Sequence, residues 1–443
     1  MTNSTHLSPI LENKRLEVRA CEALLPLAEL EALVKPSTRN YAGGFILECK
    51  KASPSEGLMR ADFNIEEIAK VYAPFAGAIS VLTDQQFFQG KLDFMAQVSN
   101  LVSCPVLCKD FIISPYQVYE ARLYQADMIL FMLSVLDDQT YRACAQVAQK
   151  LNLDILTEIH NESELDRAIN LGAKIIGVNN RDFKTLQVNL DVSRRLLPKI
   201  PQNILKIVES GIQTHQDILE FKNQTNNFLV GTSLMREKHL DIAVRELIFG
   251  RIKICGLSSI EDAQVAYDAG ASFGGLILAP ESPRYMSLEK ALEIRNQVSL
   301  RWVGVFVNAS LEQVCAYARD LKLFAVQLHG EESEEYVEKL RSKLKSGVEI
   351  WCTSQCGDRQ LFDNKDDKLR GGTGKSFDWS LIPSSIPKDR VILSGGLGPD
   401  NIAEADKLGF WALDINSKVE QTPGIKSEAK IRKLFAALAQ MRP

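Results

Sequence analysis

Reactive side chains stand at the ends of several short apolar segments in the first half of the chain. Glu48 and Lys50 end one such segment, ILECK, and Lys109 ends another, VLCK. Glu158 and Glu209 stand at the ends of two later segments of the same kind. Any one of them could serve only in a structural ion pair, because lysine and glutamate are rarely buried without a partner. Two lysines and three glutamates together favour an acid–base set that moves protons on an anionic substrate.

The second half carries a different set of reactive groups. Cys255 ends the apolar segment IKIC, and Arg284 stands in the loop sequence SPRY. His329 and Asp363 follow two later apolar segments. A lone cysteine is commonly a small buried hydrophobe, and a lone aspartate commonly caps a turn. Around one site, however, a thiol and a carboxylate suit a base and an acid.

Composition narrows the class of protein. With 443 residues, 45% of them hydrophobic and 24% charged, the chain is typical of a globular protein of two or three domains. A formal net charge of −4 offers no basic surface for nucleic acid. No apolar run approaches the roughly 20 residues that span a bilayer, and the N-terminus, MTNSTHLSPILENKRLEVRACE, is too polar for a secretory signal. Nine cysteines spread thinly over the chain predict free thiols and a cytoplasmic location.

Continuous apolar runs alternate with longer amphipathic stretches along the chain. Eight runs fall between residues 45 and 230 and eight between residues 251 and 413, of which Val348–Cys352 and Gln360–Asp363 are the weakest. Such runs are expected of parallel strands covered on both faces by helices. Eight strand–helix units that close into a barrel need at least about 200 residues, which each half nearly provides. The pattern predicts an α/β fold of two fused (β/α)8 TIM barrels rather than one large doubly wound sheet.

The same pattern predicts the boundaries. Residues before Asn40 contain the segment ALLPLAELEALV, which indicates an N-terminal helical extension to the first barrel. The junction at Phe249 and Gly250 has no linker rich in proline or serine, so the last helix of the first barrel should run almost directly into the second. We therefore expect domains at residues 1–249 and 250–443.

Three sequences carry the residues of a capping box, in which a serine at the helix start is followed three positions later by glutamate or glutamine. They begin at Ser114, Ser258 and Ser310. Helices are therefore predicted to start at these serines.

Glycine-containing loops follow the seventh and eighth predicted strands of each half. In barrels of this kind those loops often bind phosphate through backbone N–H groups. The candidate residues are Ser210, Gly211, Gly231 and Thr232 in the first half and Gly395, Gly396, Asp414, Asn416 and Ser417 in the second. These loops predict one phosphate site in each half.

Two further patterns are rejected. Gly371–Ser376 (GGTGKS) resembles the end of a nucleotide-binding P-loop, but the first glycine of that motif would fall on Leu369. Cys352 and Cys356 have no matching second pair and no nearby histidine, which argues against a metal site. Because neither half shows a spacing suited to metal ligands, no metal is expected.

Longer motifs connect both halves to known families. FILECKKASPS, CKDFIISPYQ, IGVNNRD and IVESGI resemble indole-3-glycerol-phosphate synthase. KICGL, SPRY, QLHGEE, LSGGLGPDN and LDINSKVEQTPGIK resemble phosphoribosylanthranilate isomerase. The order of the halves is similar to that in the bifunctional tryptophan-biosynthesis enzymes of enteric-type bacteria. The resemblance covers nearly the whole chain.

For the first half the resemblance implies closure of carboxyphenylamino-deoxyribulose phosphate to indole-3-glycerol phosphate, with loss of carbon dioxide and water. Lys109 would be the general acid that helps expel the ketone oxygen, and Glu158 would serve the proton transfers of dehydration. Lys50, paired with Glu48, would hold the substrate carboxylate or act as an acid itself. The other implied roles are site polarisation by Asn179, Glu209 and Ser210, phosphate binding by Ser53, Arg181, Gly211, Gly231 and Thr232, and contact with the anthranilate ring by Phe88 and Phe111.

For the second half the resemblance implies an Amadori rearrangement of phosphoribosylanthranilate. Asp363 would protonate the ribose ring oxygen, and Cys255, as a thiolate, would remove the proton from the adjacent carbon. Arg284 would hold the anthranilate carboxylate, with His329 nearby. No metal or organic cofactor would be required, because the substrate amine nitrogen relays the electrons. The chain has Asn416-Ser417-Lys418 where many relatives have Ser-Ser-Gly, a difference that leaves backbone N–H binding of phosphate unaffected.

Two alternatives remain at this point. The second half could belong to the isomerases of histidine biosynthesis, which carry paired aspartates, but Cys255 ends its first predicted strand instead. One barrel could be a scaffold without activity, although both halves carry the expected acids and bases. The expected partners are small phosphorylated anthranilate–ribose substrates, and the fusion of two barrels in one chain favours a monomer.

Overall fold

The computed structural model of the chain describes residues 7–363 and 378–440. The chain divides into two compact units between Val244 and Arg245. This division falls inside the helix Leu240–Phe249, whereas the predicted domain boundary follows that helix. The P-loop-like segment Gly371–Ser376 lies outside the described residues.

Eight parallel strands of the first unit close into a barrel in sequence order. The first strand pairs with both the second and the eighth, so that Phe45 lies opposite Ala76 and Phe228. The strands are β1 (Phe45–Cys49), β2 (Ala76–Leu82), β3 (Val106–Lys109), β4 (Met128–Met132), β5 (Asp154–Ile159), β6 (Ile175–Asn179), β7 (Leu205–Glu209) and β8 (Asn227–Val230). A short hairpin, Ala52–Ser53 with Gly57–Leu58, follows β1.

Two helices, α1 (Leu7–Leu24) and α2 (Leu27–Leu33), precede β1 and form the predicted N-terminal extension. The other helices of this unit connect the strands or follow the last one. They are α3 (Ile65–Tyr72), α4 (Gln85–Phe88), α5 (Leu92–Leu101), α6 (Pro115–Leu123), α7 (Asp138–Lys150), α8 (Glu162–Asn170), α9 (Asp191–Leu196) with a 3₁₀ turn at Leu197–Lys199, α10 (His215–Phe221), α11 (Thr232–Met235) and α12 (Leu240–Phe249).

The second unit contains its own closed barrel of eight parallel strands, again in sequence order. The strands are β9 (Ile252–Cys255), β10 (Phe273–Ile277), β11 (Arg301–Phe306), β12 (Ala325–Leu328), β13 (Glu349–Cys352), β14 (Arg359–Phe362), β15 (Val391–Leu393) and β16 (Ala412–Ile415). Its described helices are α13 (Ile260–Ala269), α14 (Leu288–Gln297), α15 (Leu311–Asp320), α16 (Glu334–Lys343), α17 (Ile402–Lys407) and α18 (Glu428–Gln440), with 3₁₀ turns at Trp379–Leu381, Lys388–Arg390 and Ser417–Val419. A hairpin, Glu420–Thr422 with Ile425–Lys426, follows β16.

Apolar side chains fill the interior of each barrel. In the first, Ile46, Leu107, Leu130 and Leu156 of four different strands belong to one buried cluster. In the second, Phe273, Val303, Trp351 and Ile392 do the same. Because these barrels are packed solid rather than hollow, reactive groups can be presented only at the strand ends and in the loops beyond them.

The predicted fold class and all 16 strand positions are confirmed, with each boundary within two residues. The two weakest runs form β13 and β14. Ser310 caps α15 by accepting a hydrogen bond from the Gln313 N–H at 3.2 Å. The prediction at Ser258 is wrong by one residue, because Ser259 accepts the capping bond of α13. Ser114 precedes α6 without a side-chain capping bond.

The reciprocal bond of a capping box is also absent at this helix, because the Gln117 side chain is engaged elsewhere. Its Oε1 accepts from the N–H of Ile113 at 2.8 Å, and its Nε2 donates to the carbonyl of Phe111 at 2.9 Å. The glutamine therefore holds the turn that follows Lys109 instead of closing a capping box.

Candidate active sites

Four charged side chains from alternate strands meet at the carboxyl-terminal mouth of the first barrel. Glu48 lies near the end of β1, Lys109 ends β3, Glu158 lies near the end of β5 and Glu209 ends β7. Alternate strands of such a barrel contribute side chains to the same layer. The four residues recognised in the sequence therefore form one polar layer above the apolar core.

Lys109 lies at the centre of this layer. Its Nζ donates to Oε2 of Glu158 at 3.1 Å and to Oε2 of Glu209 at 3.2 Å. Burial disfavours the ammonium form, but the charges of both glutamates outweigh burial and raise the pKa of Lys109. The lysine is therefore a charged proton donor held between two carboxyl groups.

The surroundings push the pKa values of the two glutamates apart. Burial favours the neutral form of both carboxyls. For Glu158, the nearby Lys109 and His160 outweigh burial, and the pKa lies below its usual range. For Glu209, burial prevails with help from the charge of Glu158, and the pKa rises to about 7. One carboxylate thus stays ionised while its neighbour titrates near neutral pH, a separation typical of acid–base sites.

Two glycines make room for this layer. A Cβ atom on Gly177 of β6 would lie 1.8 Å from Oε1 of Glu209. One on Gly231, which follows β8, would lie 2.5 Å from Oε1 of Glu48. Sequence reasoning assigned Gly231 to phosphate and did not single out Gly177, although a glycine inside a strand often marks a close approach.

Lys50 and Asn179 complete the polar set. Nζ of Lys50 lies 2.6 Å from Oε1 of Glu48, as the sequence predicts for this pair. The Asn179 side chain hydrogen-bonds Glu158, and its Oδ1 accepts from the Arg181 N–H at 2.9 Å. Asn179 therefore links the polar layer to the loop after β6.

Residues predicted to bind phosphate in the first barrel converge through that loop. Arg181 donates to Ser55 Oγ at 3.2 Å, and Ser55 Oγ lies 3.3 Å from Ser53 Oγ. Gly211 has a φ of +91°. A Cβ there would meet Val188 Cγ1 at 2.8 Å, so the loops after β6 and β7 pack tightly together.

The loop after β8 joins the same region. Ser233 donates through its hydroxyl to the carbonyl of Ile212 at 3.0 Å. Gly231 directly precedes α11, whose first residue is Thr232, and Ser210 has a left-handed φ of +62°. The Gly211–Ile212 turn and the start of α11 are thus neighbours.

The two predicted ring-binding residues also lie together. The ring centroids of Phe88 and Phe111 are 6.1 Å apart with a tilt of 42°. Both pack with Ile10 of α1 in one cluster, so the N-terminal extension contributes to this end of the barrel.

Sequence reasoning missed two charged residues of this region. Lys14 of α1 is buried, with Nζ 2.8 Å from Asp110 and 3.2 Å from Asp84. His160 follows Glu158 by two positions, and its Nε2 lies 3.4 Å from Oε1 of that glutamate. Lysine on an amphipathic N-terminal helix ordinarily faces solvent, so only the tertiary contact reveals Lys14. The position of His160, just past a strand end, was a usable signal.

In the second barrel, Cys255 ends β9 above a fully buried lysine. Lys253, two residues earlier, donates to Asp414 Oδ2 at 2.7 Å and to Gln327 Oε1 at 2.9 Å. A Cβ on Gly275 would meet Cys255 Sγ at 2.8 Å and Lys253 Cε at 3.0 Å, so this glycine admits both side chains. Asp414, predicted to bind substrate, is paired with Lys253 inside the barrel, and sequence reasoning missed the lysine.

The thiol of Cys255 responds to opposing influences. Burial raises its pKa, and the charge of Asp414 acts in the same direction. Lys253 and Lys426 favour the thiolate, but burial prevails and the pKa stays above the ordinary value. Without substrate, Cys255 is therefore mainly a thiol at neutral pH.

Arg284 is held by the hairpin that follows β16. Its Nε and Nη2 donate to the two carboxylate oxygens of Glu420 at 2.8 and 2.7 Å. Lys426 lies 3.0 Å from Glu420 Oε1 and donates to Asn416 Oδ1 at 2.9 Å. Sequence reasoning singled out Arg284 and Asn416 but neither of the two hairpin residues that orient them.

The remaining predicted residues of the second barrel lie at other strand ends. His329 follows β12 and Asp363 follows β14, with Nε2 and Oδ2 3.7 Å apart. Gly395 and Gly396 after β15 have left-handed φ values of +82° and +68°. Ser417 begins the 3₁₀ turn after β16.

Among residues 7–363 and 378–440, no group of three or more His, Cys, Asp or Glu side chains is placed to hold a metal ion. Within the same residues, no helix is long and apolar enough to cross a membrane.

Each half of the chain matches the model of a known family. A family model described as "Indole-3-glycerol phosphate synthase" matches residues 7–247, and one described as "N-(5'phosphoribosyl)anthranilate (PRA) isomerase" matches residues 252–437. "Tryptophan biosynthesis protein TrpCF" of Salmonella typhi is 45% identical over 452 residues, covering 98% of this chain and 99% of that protein. The protein of the same name from Yersinia pestis is 46% identical over 448 residues, and the match covers 98% of this chain and 94% of that protein.

Among solved structures, phosphoribosyl anthranilate isomerase from Thermus thermophilus is 33% identical, with a TM-score of 0.39. It covers 43% of this chain and 100% of its own. The two family models and the full-length relatives together show that this chain belongs to the bifunctional tryptophan-biosynthesis enzymes, in which the C-terminal barrel isomerises phosphoribosylanthranilate and the N-terminal barrel closes the product to indole-3-glycerol phosphate.

Proposed function

We propose that Lys109 is the general acid of the synthase reaction and Glu158 its base. The observation that supports this assignment most strongly is the position of Nζ of Lys109, 3.1 Å from Glu158 and 3.2 Å from Glu209. Lys109 protonates the ketone oxygen as the ring closes and again as that oxygen leaves as water. Glu158, ionised at neutral pH, removes the proton from the carbon next to the amine.

The other polar residues of the first barrel bind and orient the substrate in this proposal. Lys50, held by Glu48 at 2.6 Å, faces the substrate carboxylate before it leaves as carbon dioxide. Asn179, Glu209 and Ser210 polarise the site. Ser53, Arg181, Gly211, Gly231 and Thr232 bind the phosphate, and Phe88 and Phe111 flank the anthranilate ring.

In the second barrel we assign the base to Cys255 and the acid to Asp363. Burial raises the pKa of Cys255, so the thiolate forms with the help of Lys253 and Lys426, which favour it. Asp363, with His329 3.7 Å away, protonates the ribose ring oxygen. Abstraction of the proton by the thiolate then gives the enolamine, which yields the ketone product.

Substrate contacts in the second barrel follow the same assignment. Arg284 binds the anthranilate carboxylate, and its fixed bidentate pair with Glu420 holds the guanidinium in place for that contact. Gly395, Gly396, Asn416 and Ser417 line the phosphate end, with Asp414 below them. Neither assignment uses a metal or an organic cofactor.

We further propose that the domain boundary lies at 249/250 and that the enzyme acts as a monomer in the cytoplasm. The end of α12 at Phe249 supports the boundary. All nine cysteines, which lie within the described residues, are free thiols, as expected in a reducing compartment.

Reciprocal substitutions test the two assignments in one chain. Lys109→Ala should lower synthase kcat by about 10²–10⁴-fold, the usual contribution of general acid–base catalysis, and leave isomerase activity unchanged. Cys255→Ala should abolish the isomerase and leave the synthase within about twofold when carboxyphenylamino-deoxyribulose phosphate is supplied, because the substitution lies in the other barrel and shares no described partner with the synthase residues. Each activity is measured with its own substrate on the full chain.

Lys70→Ala, which changes an exposed lysine of the first barrel, is the matched control. A synthase loss of less than tenfold in Lys109→Ala would assign the acid to another residue, Lys50 first. Loss of synthase activity in folded Cys255→Ala would contradict two independent sites.

A further inference from the structure

The synthase reaction consumes a proton that the polar layer must obtain from outside. The substrate oxygen receives two protons, one on ring closure and one when it departs as water. One proton is removed from the substrate carbon, and the carboxylate leaves as carbon dioxide. Each turnover therefore takes up one proton from solution, while Glu158 itself is fully buried.

His160 is placed to supply this proton. Its Nε2 lies 3.4 Å from Oε1 of Glu158. Both atoms are buried, and neither forms a hydrogen bond among the described residues. Oε2 of the same glutamate contacts Lys109 at 3.1 Å. Glu158 thus stands between the histidine and the proposed acid, with one oxygen toward each.

The opposite side of the ring contacts a second carboxylate. Nδ1 of His160 lies 3.2 Å from Oε2 of Glu164, which also accepts the His160 backbone N–H at 2.8 Å. With a carboxylate oxygen facing each ring nitrogen, only the imidazolium can donate to both. The edge of the ring also contacts Phe183, with centroids 5.5 Å apart.

His160 and Glu164 are partly exposed to solvent, whereas Glu158 is not. The side chain of Glu158 is 0% exposed, whereas those of His160 and Glu164 are 15% and 14% exposed. Solvent therefore reaches part of the His160 ring without reaching Glu158, although the Nε2 atom itself is buried against that glutamate.

We propose that His160, held by Glu164, is the proton donor that resupplies the Glu158–Lys109 pair once per synthase turnover. This inference rests on the roles proposed above for Glu158 and Lys109. The imidazolium passes its Nε2 proton to Oε1 of Glu158, and Glu158 passes a proton from Oε2 to the neutral amine of Lys109. After product release the ring of the neutral imidazole turns its Nε2 atom toward solvent, takes a proton from water there and returns to Glu158. Charge and protons balance over the cycle.

The charges around His160 agree with this role. Burial alone would lower the pKa of His160, but the hydrogen bond to Glu164 and the charges of Glu158, Glu164 and Glu209 outweigh it and raise the pKa. Lys109 opposes them from the far side of Glu158. These contacts therefore favour the imidazolium form of His160 over the neutral ring.

The test uses His160→Gln in the full chain, with His239→Gln, an exposed histidine of the same unit, as control. Glutamine retains hydrogen bonding but cannot donate a proton. We expect synthase kcat to fall about tenfold at pH 8, which is less than the about 10²–10⁴-fold contributed by a group that exchanges protons with the substrate directly. KM should change little, and the loss should be smaller at pH 6. Added imidazole should restore kcat in proportion to its concentration.

Glu164→Gln should shift the alkaline limb of the synthase profile to lower pH, because it removes a charge that keeps the imidazolium protonated. Isomerase activity on the same chain should not change, and the circular dichroism spectrum should match that of the wild type, which checks that the first barrel is folded. A synthase kcat in His160→Gln that equals wild type, or one that falls but does not respond to imidazole, would overturn the inference. Lys109→Ala distinguishes failure of the proposed function from failure of this inference. If Lys109→Ala retains synthase activity, the assignment of Lys109 as the acid is wrong. If Lys109→Ala is inactive but His160→Gln has wild-type activity, only the donor role of His160 is refuted.

Discussion

At the scale of single residues, the carboxylates of the polar layer depend on the absence of neighbouring side-chain atoms as much as on their partners. Glu209 reaches Lys109 because Gly177 on the adjacent strand has no Cβ. Its pKa of about 7 results chiefly from burial. The contact with Lys109 and the burial of Glu209 both depend on the pairing of β6 with β7, in which Gly177 lies opposite Ile207.

Gly177→Ala should therefore disable the synthase without unfolding the barrel. The new Cβ would lie 1.8 Å from Oε1 of Glu209, so the carboxylate must leave Lys109. Displacement of catalytic groups by about 1 Å can cost about 10²-fold in rate, and we expect a synthase loss of that order. Circular dichroism and isomerase activity should match wild type. A synthase within twofold of wild type would show that the contact between Glu209 and Lys109 is dispensable.

Glu209 should also make the stability of the first barrel depend on pH. Its folded pKa of about 7 exceeds the ordinary glutamate value, so its contribution is present at low pH and is lost as the pH rises through about 7. Relative to wild type, Glu209→Gln should become more stable between pH 5 and pH 8, by about 3 kcal/mol. Thermal unfolding followed by circular dichroism at each pH measures the difference. A difference that does not vary with pH would contradict the raised pKa.

At the scale of elements, helix α1 is held against the barrel by buried ion pairs of Lys14 as well as by apolar contacts. Lys14 is 4% exposed and contacts Asp84, the N-cap of α4, and Asp110, which follows Lys109. The three residues lie on α1 and on the loops after β2 and β3. The helix is thereby tied to the loops that carry Phe88 and Phe111.

Lys14→Met should destabilise the first barrel by about 3–5 kcal/mol, because it leaves two buried carboxylates without their cation. Arg15→Met, which changes the exposed neighbour on the same helix, should have little effect. Chemical denaturation followed by circular dichroism compares the two variants. Equal stability of Lys14→Met and wild type would mean that the aspartates find other partners or become protonated.

At the scale of the whole molecule, each unit contains a closed barrel and a complete set of proposed catalytic groups. The four tryptophans, Trp302, Trp351, Trp379 and Trp411, all belong to the second unit. Tryptophan fluorescence therefore follows the unfolding of that unit, whereas circular dichroism follows both.

Residues 1–249 and 250–443 should consequently fold and act when they are expressed separately. Each fragment retains eight strands and its own mouth, so the first should close carboxyphenylamino-deoxyribulose phosphate and the second should isomerise phosphoribosylanthranilate. Only the second should show cooperative loss of tryptophan fluorescence, since the first contains no tryptophan. A fragment that is insoluble under all conditions would contradict either the boundary or the autonomy of the two cores.

The sequence by itself determined the two barrels and most residues at their mouths. Continuous apolar runs mark buried parallel strands, and the polar residue that ends each run must lie at the carboxyl-terminal face. Glu48, Lys109, Glu158 and Glu209 were recognised for this reason. The motifs of the second half identified Cys255 and Asp363 in the same way.

Only the tertiary structure decided which side chains hold those groups in place. Lys253 pairs with Asp414, 161 positions away, and Arg284 pairs with Glu420, 136 positions away. Such contacts form because a closed barrel brings its first strand against its eighth, which no local pattern of residue types encodes. The same closure sets burial, and burial separates the pKa values of Glu158 and Glu209. The local sequence therefore indicated the types of the reactive residues, but their pKa values depend on burial and on distances that exist only after folding.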